Sequence, residues 1–173
     1  MTQIGLRLRA ITADITQLRV DALVNAANAM LAPGGGVDGA IRAAAGAELT
    51  RATALIGACP TPSAVITPGF KLAARYVIHT AAPVFTGSSE DDELLAACYR
   101  NALILAREQG LGSVAFPALG TGIYGWPAAR AAQIAFGAVV SELRAHEMPQ
   151  TVIFCCFHDA DRVRYQQLID GLV

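Results

Sequence analysis

Residues 25–39 constrain this chain more than any other stretch. They read Asn25-Ala26-Ala27-Asn28, then Ala29-Met30-Leu31-Ala32-Pro33, then Gly34-Gly35-Gly36-Val37-Asp38-Gly39. Ahead of them, residues 20–24 form an apolar run with the look of a buried strand. Behind them, residues 40–49 have the composition of a helix. Two amides therefore sit at the end of a strand, three glycines make a loop, and one carboxylate stands where a helix begins. Glycine lets a backbone approach a ligand closely, and a helix start presents amide hydrogens that have no partner in the helix. This combination predicts a pocket for a phosphate-bearing, hydroxyl-rich ligand, with Asp38 as a candidate general base beside it.

The rest of the composition narrows the class. A chain of 173 residues, 54% hydrophobic and 16% charged, can bury a sizeable core and is expected to form one domain over residues 1–173. Arg, Asp, Pro or Gly interrupts every apolar run before it reaches transmembrane length. The opening Met1-Thr2-Gln3-Ile4 has no basic segment followed by an apolar one, so no secretory signal is expected. A net charge of −1 without a basic run argues against broad electrostatic binding to nucleic acid. The cysteines Cys59, Cys98, Cys155 and Cys156 form no Cys-x-x-Cys, and His79, His146 and His158 show no ligand spacing. Neither a metal nor a disulfide framework is expected, and a reducing cytoplasm suits these thiols.

Strands and helices alternate. Strands are predicted at residues 4–11, 20–26, 64–67, 75–80, 113–116 and 151–157, the first near a sheet edge because Leu6-Arg7-Leu8-Arg9 alternates. Helices are predicted at residues 38–57 with a break near Gly46, 93–109, from Pro127 to about residue 146, and 160–172. Residues 83–92 read as a mobile surface loop. The pattern predicts a three-layer α/β/α sandwich around a mixed, mostly parallel sheet.

A second glycine loop, Gly120-Thr121-Gly122-Ile123-Tyr124-Gly125, matches G-x-G-x-x-G. Alone it would suggest a dinucleotide fingerprint. It lies late in the chain, however, and lacks the acidic residue expected about 20 residues on. The better reading is a second phosphate cradle. Gly120, Thr121 and Gly122 would offer amides and a hydroxyl, Ile123 would point inward or line the groove, and Tyr124 would pack against a sugar.

With these motifs in place the chain resembles macro domains of the MacroD-type ADP-ribosyl hydrolase branch, over nearly its whole length. The carriers are Asp14-Ile15-Thr16, the stretch from Val20 through Asn28, Gly34 through Gly39, Ala64 through Gly69, Tyr76 through Thr80, and Phe116-Pro117-Ala118 leading into Gly122-Ile123-Tyr124-Gly125. The resemblance implies ADP-ribose, O-acetyl-ADP-ribose and mono-ADP-ribosylated proteins as partners, with no cofactor and no membrane. It implies that Asp14 binds the adenine amine, Ile15 supplies its amide or flanks the base, and Phe157 stacks on adenine. Gly36, Val37 and the loop from Gly120 to Tyr124 would hold the diphosphate and distal ribose. Asn28 would bond the ribose hydroxyls, with Asp38 close to the anomeric carbon. Ala13, Pro33, Ala82, Phe85 and His158 depart from the family pattern.

The implied reaction is hydrolysis of an ester between ADP-ribose and a carboxylate or acetate. It needs a positioned water and a group to polarise it. Asp38 together with a substrate phosphate would supply that, with Asn28 fixing and Tyr124 shielding the ribose. Alternatives remain at this point: Asp38 as a helix-start charge only, a binding module without turnover, or a phosphatase on a related scaffold. Asn25 reads as structural, tying the strand end to the loop, and His79 as a satisfied core histidine.

Overall fold

The computed structural model describes residues 2–172; Met1 and Val173, the two ends of the expected domain, lie outside them. Among the described residues six strands and five α-helices follow in the order β1 (Leu8–Thr12), β2 (Ala22–Ala26), α1 (Gly36–Ala45), α2 (Ala47–Ile56), β3 (Ala64–Pro68), β4 (Tyr76–Thr80), α3 (Ser89–Glu108), β5 (Ser113–Phe116), α4 (Ala128–Ala145), β6 (Thr151–Cys156) and α5 (Asp159–Asp170). They form one sheet in the order β1-β6-β5-β2-β4-β3, parallel throughout except for the antiparallel β3–β4 pair at one edge. This is the predicted mixed sheet, with β1 on the predicted edge.

Side chains of a strand alternate between its two faces. The pairing of Leu23 with Val77 and Ala115 brings these residues to one face, where they pack with Ile41, Ala45 and Leu49 of α1 and α2. The residues between them, Ala22, Val24, Ile78, Val114 and Phe116, join Phe154 and the apolar stripes of α3, α4 and α5 on the other. Helices thus cover both faces, as a parallel sheet requires. Among the described residues no helix is long and apolar enough to cross a membrane.

Several boundaries move for visible reasons. The first strand starts at Leu8, not residue 4, because Gly5–Arg7 forms a 3-10 turn. From that turn the Arg7 guanidinium donates to the carbonyls of Leu143, His146, Glu147 and Pro149 at the end of α4. α3 starts at Ser89 because the Ser88 hydroxyl oxygen accepts from Glu90 N at 3.2 Å, and Glu90, Asp91 and Asp92 favour a first helical turn. Asp91 faces inward, accepting from Thr86 N, Thr86 Oγ1 and Gly87 N, which holds its pKa below the usual carboxylate value.

The loop expected to be mobile is therefore shorter, residues 83–88, and bonded along its length. Trp126 Nε1 donates to Pro83 O at 2.9 Å, and Phe85 N donates to Tyr124 O at 2.9 Å. The Phe85 ring packs on Trp126 at 5.0 Å and carries Arg130 5.1 Å above it. Pro127 sits one residue ahead of α4, as its cap. β6 stops at Cys156, leaving Phe157 beyond the sheet.

Candidate active site

Four adjacent parallel strands deliver their following segments to one end of the sheet. Thr12 through Ile15 follow β1, Phe157 and His158 follow β6, residues 117–124 follow β5, and residues 27–38 follow β2. Together they line a cleft of about 1130 Å3 over the carboxyl ends of the strands, where open α/β sheets hold ligands. All twelve residues named from the sequence as ligand-binding lie along it.

At one end, Asp14 Oδ1 accepts from Thr16 N (3.0 Å) and Thr16 Oγ1 (2.7 Å), which caps the short 3-10 turn Ile15–Gln17. Its Oδ2 has no partner among the described residues, so one acceptor remains for a ligand. Ile15 buries its side chain in the core, so its backbone amide is what it can offer a base. Phe157 is 85% exposed, an apolar ring with one face to give to a flat ligand. His158 meets it edge-on.

In the middle lie the two glycine loops. The first four amides of a helix lack intrahelical acceptors, so Gly36 and Val37 open α1 with N–H groups available to an anion. Gly39 makes the loop's tight return possible: a Cβ there would stand 2.9 Å from Gly34 O. Across the cleft, Gly120 has φ +83°, and a Cβ on it would lie 2.6 Å from the Trp126 ring, so the loop closes over that indole only with glycine. One expectation changes here. The Thr121 hydroxyl is spent on Ala118 O at 2.9 Å and leaves the cradle to backbone amides. Of the two positions expected for Ile123 it takes the second, lining the groove at its mouth with 98% exposure. Tyr124 packs partly on the core, beside that mouth.

At the far end stands Asp38, in the first turn of α1 and only 4% exposed. Its Oδ1 accepts from Asn25 Nδ2 at 2.7 Å, and its Oδ2 from Gly34 N at 2.7 Å. Arg42 Nε reaches both oxygens, at 3.2 and 3.0 Å. With the Arg42 hydrogen shared between them, each carboxylate oxygen already accepts two bonds. Arg42 is itself buried. It donates onward to Thr50 and Thr53 of α2 and to Leu31 O, and so binds Asp38, α2 and residues 28–33 into one block. Leu31 needs that support, because it holds a left-handed φ of 54°. Arg42 was missed in the sequence, although its spacing of four from Asp38 on a helix was the available signal.

Asn28 reaches the cleft but folds its amide onto its own loop. Its Nδ2 donates to Ala32 O at 2.7 Å, and its Oδ1 accepts from Met30 N and Ala32 N, each at 3.1 Å. One amide hydrogen is left for a ligand. Asn25 is the tie between strand end and loop that the sequence suggested, and His79 is a satisfied buried histidine. Asp21 joins the start of β2 to that of β5: against desolvation, which raises its pKa, the bonds from Gly112 N, Arg75 and Ser113 N lower it overall. Among the described residues no group of His, Cys, Asp and Glu is placed to hold a metal.

Fold and cleft together define a three-layer α/β protein with an anion-ready groove over its parallel strands. Residues 24–135 match the macro domain family model, and the chain belongs to the macro domain family. It is 49% identical over 165 residues, 94% of each chain, to a macro domain-containing protein of Ralstonia nicotianae. It is also 49% identical over 168 residues, 94% of each chain, to a Salmonella newport protein named O-acetyl-ADP-ribose deacetylase. Among solved structures it is similar to the Oceanobacillus iheyensis macrodomain with ADP, at TM-score 0.90 and 38% identity, covering 95% of this chain and 93% of that one. It is similar as well to the Trypanosoma brucei macrodomain in complex with ADP-ribose, at TM-score 0.92 and 37% identity, covering 97% of this chain and 71% of that one.

Proposed function

We propose that this protein binds ADP-ribose along the cleft and hydrolyses an ester at its distal ribose, acting on O-acetyl-ADP-ribose and on mono-ADP-ribose attached to acidic protein side chains. The observation that carries the reading is the continuity of the groove. An apolar ring and a carboxylate oxygen at one end, two rows of backbone amides in the middle and a buried carboxylate at the other match base, diphosphate and ribose in order. Relatives named O-acetyl-ADP-ribose deacetylase support the ester chemistry. The four thiols are free and buried, which suits a reducing compartment such as the cytoplasm.

In this reading Asp14 and Phe157 select adenine, with the Ile15 amide beside it. Gly36, Val37, Gly120, Gly122 and Ile123 donate amides to the phosphates, and Thr121 braces that loop. Asn28 gives its remaining amide hydrogen to the ribose, and Tyr124 covers it. Asp38, already holding three donors, orients a water instead of storing its proton. A substrate phosphate oxygen shares that task, and no metal takes part. Water adds across the ester: its oxygen ends on the carbon under attack and its hydrogen on the departing oxygen.

The commitment of Asp38 to Arg42, Asn25 and Gly34 favours one second reading, a module that binds ADP-ribose without turnover. Acetate and ADP-ribose release by the wild type and Asp38→Ala separates the two, with folding checked by circular dichroism and affinity by calorimetry. Hydrolysis predicts release by the wild type and a loss of about 100-fold or more in the variant. Binding of ADP-ribose with no release by the wild type leaves the module reading.

A further inference from the structure

Beneath the cleft runs a row of polar side chains, Asn25, His79 and Thr67, that do not line it. The parallel pairing of β2 with β4 sets Asn25 beside His79. The antiparallel pairing of β4 with β3 brings Thr67 to the same face of the sheet. Asn25 and His79 are fully buried and Thr67 is nearly so. α1 covers this face and lowers Asp38 onto Asn25. The bonds run Asn25 Nδ2 to Asp38 Oδ1 at 2.7 Å, Asn25 Nδ2 to His79 Nδ1 at 3.1 Å, and His79 Nε2 to Thr67 Oγ1 at 3.0 Å.

The proton positions follow from the partners. A carboxylate only accepts, so the Asn25 atom against Asp38 is the NH2 group. Its second hydrogen meets His79 Nδ1, which must therefore be the bare nitrogen. The ring then carries its proton on Nε2 and donates it to Thr67. The Asn25 Oδ1 is left buried without a partner among the described residues. That cost is accepted only if the amide is held for its two hydrogens. A half-turn of the amide would press oxygen against the Asp38 carboxylate.

We infer that His79 is a positioning residue for the cleft's carboxylate: its bare Nδ1 locks the Asn25 amide in the orientation that holds Asp38 at the ribose end. The consequence for turnover rests on the hydrolase reading above; the bond order itself does not. Burial, helped by the charge of Arg42 and opposed by Asp38, lowers the His79 pKa to about 4, so the ring stays neutral. Arg42 and Asp38, both from α1, are the charges that face it. Cys59 reaches only its carbonyl, at 3.6 Å, and desolvation raises that thiol's pKa.

Two variants test this. In His79→Asn a carbonyl oxygen takes the place of Nδ1 and keeps the acceptor for Asn25. In His79→Gln the side chain reaches the place of Nε2 and keeps Thr67, but offers Asn25 nothing. With O-acetyl-ADP-ribose, H79N should stay within about threefold of wild-type kcat, while H79Q should fall about tenfold or more with KM and ADP-ribose affinity unchanged. An equal loss in both variants, or a loss confined to KM, overturns the inference. Imidazole 15N spectra of the wild type should show the proton on Nε2; a proton on Nδ1 overturns it whatever the turnover. If the wild type releases no acetate, the hydrolase reading falls alone. Exchange of the Asn25 side-chain amide hydrogens then carries the test: slow in wild type and H79N and fast in H79Q, with equal rates in all three overturning it.

Discussion

Asp38 and Arg42 stand one helical turn apart with both charges out of water, which makes each depend on the other. Removing one member of a buried pair strands the other without compensation, so Arg42→Ala is expected to lose about 3–5 kcal/mol of stability. Urea unfolding measures this, and ADP-ribose affinity should fall as well, because Leu31 O and the α2 threonines lose their donor. His79 gives a separate signature. Its pKa drops from 6.5 to about 4 in the folded state, so the unfolded chain takes up a proton first as pH falls. Stability is full above the unfolded value and declines through the window down to about 4, by roughly 3 kcal/mol in all. Unfolding at about pH 7 and about pH 4.5 should show most of that loss in the wild type and little of it in His79→Asn. Single residue types were legible here: Asp38 and Tyr124 stood out by their place in glycine loops, and Asn28 by its place at the end of a strand. Of the bonds to Asp38, only that from Asn25 forms when α1 packs on the sheet; Arg42 and Gly34 lie four residues either side of it, a spacing that was there to be read.

The elements that shape the cleft are two loops, each set by a close approach. The return of residues 34–39 brings Gly39 so near Gly34 O that a methyl group cannot enter without moving the loop. Gly39→Ala is expected to cost about 1–3 kcal/mol and to weaken ADP-ribose binding about tenfold, read by calorimetry. The matching substitution at a glycine with open space around it, Gly137→Ala in α4, should do neither. The helix break at Gly46 was legible, and the structure confirms it with φ +90°. The start of α3 was not, because the proline, glycine, serines and acidic residues of 83–92 drew the boundary toward residue 93. The Ser88 cap and the first-turn acids moved it back to Ser89. The same segment looked mobile from its composition, whereas Trp126, Tyr124 and Asp91 hold its backbone in place.

For the molecule as a whole, the cleft exists because four neighbouring strands run in the same direction and end together. A ligand that bridges their loops must stabilise the entire fold by mass action, by about 2.7 kcal/mol at a hundredfold excess over Kd. ADP-ribose should therefore raise the melting temperature clearly. NAD at the same concentration should raise it less, because the nicotinamide would crowd the space at Asp38. An equal or larger shift with NAD would count against the orientation proposed.

The sequence by itself determined the α/β layering, the mostly parallel sheet and the two glycine loops. These depend on periodicity, glycine and local capping, all of which act over a few neighbouring residues. Only the tertiary structure decided how the cleft's carboxylate is supported from below: Asp38 rests on Asn25, Asn25 on His79, and His79 on Thr67. Hydrogen-bond partners far apart in the chain are chosen by strand register and by the landing of a helix on the sheet, and no local pattern encodes either.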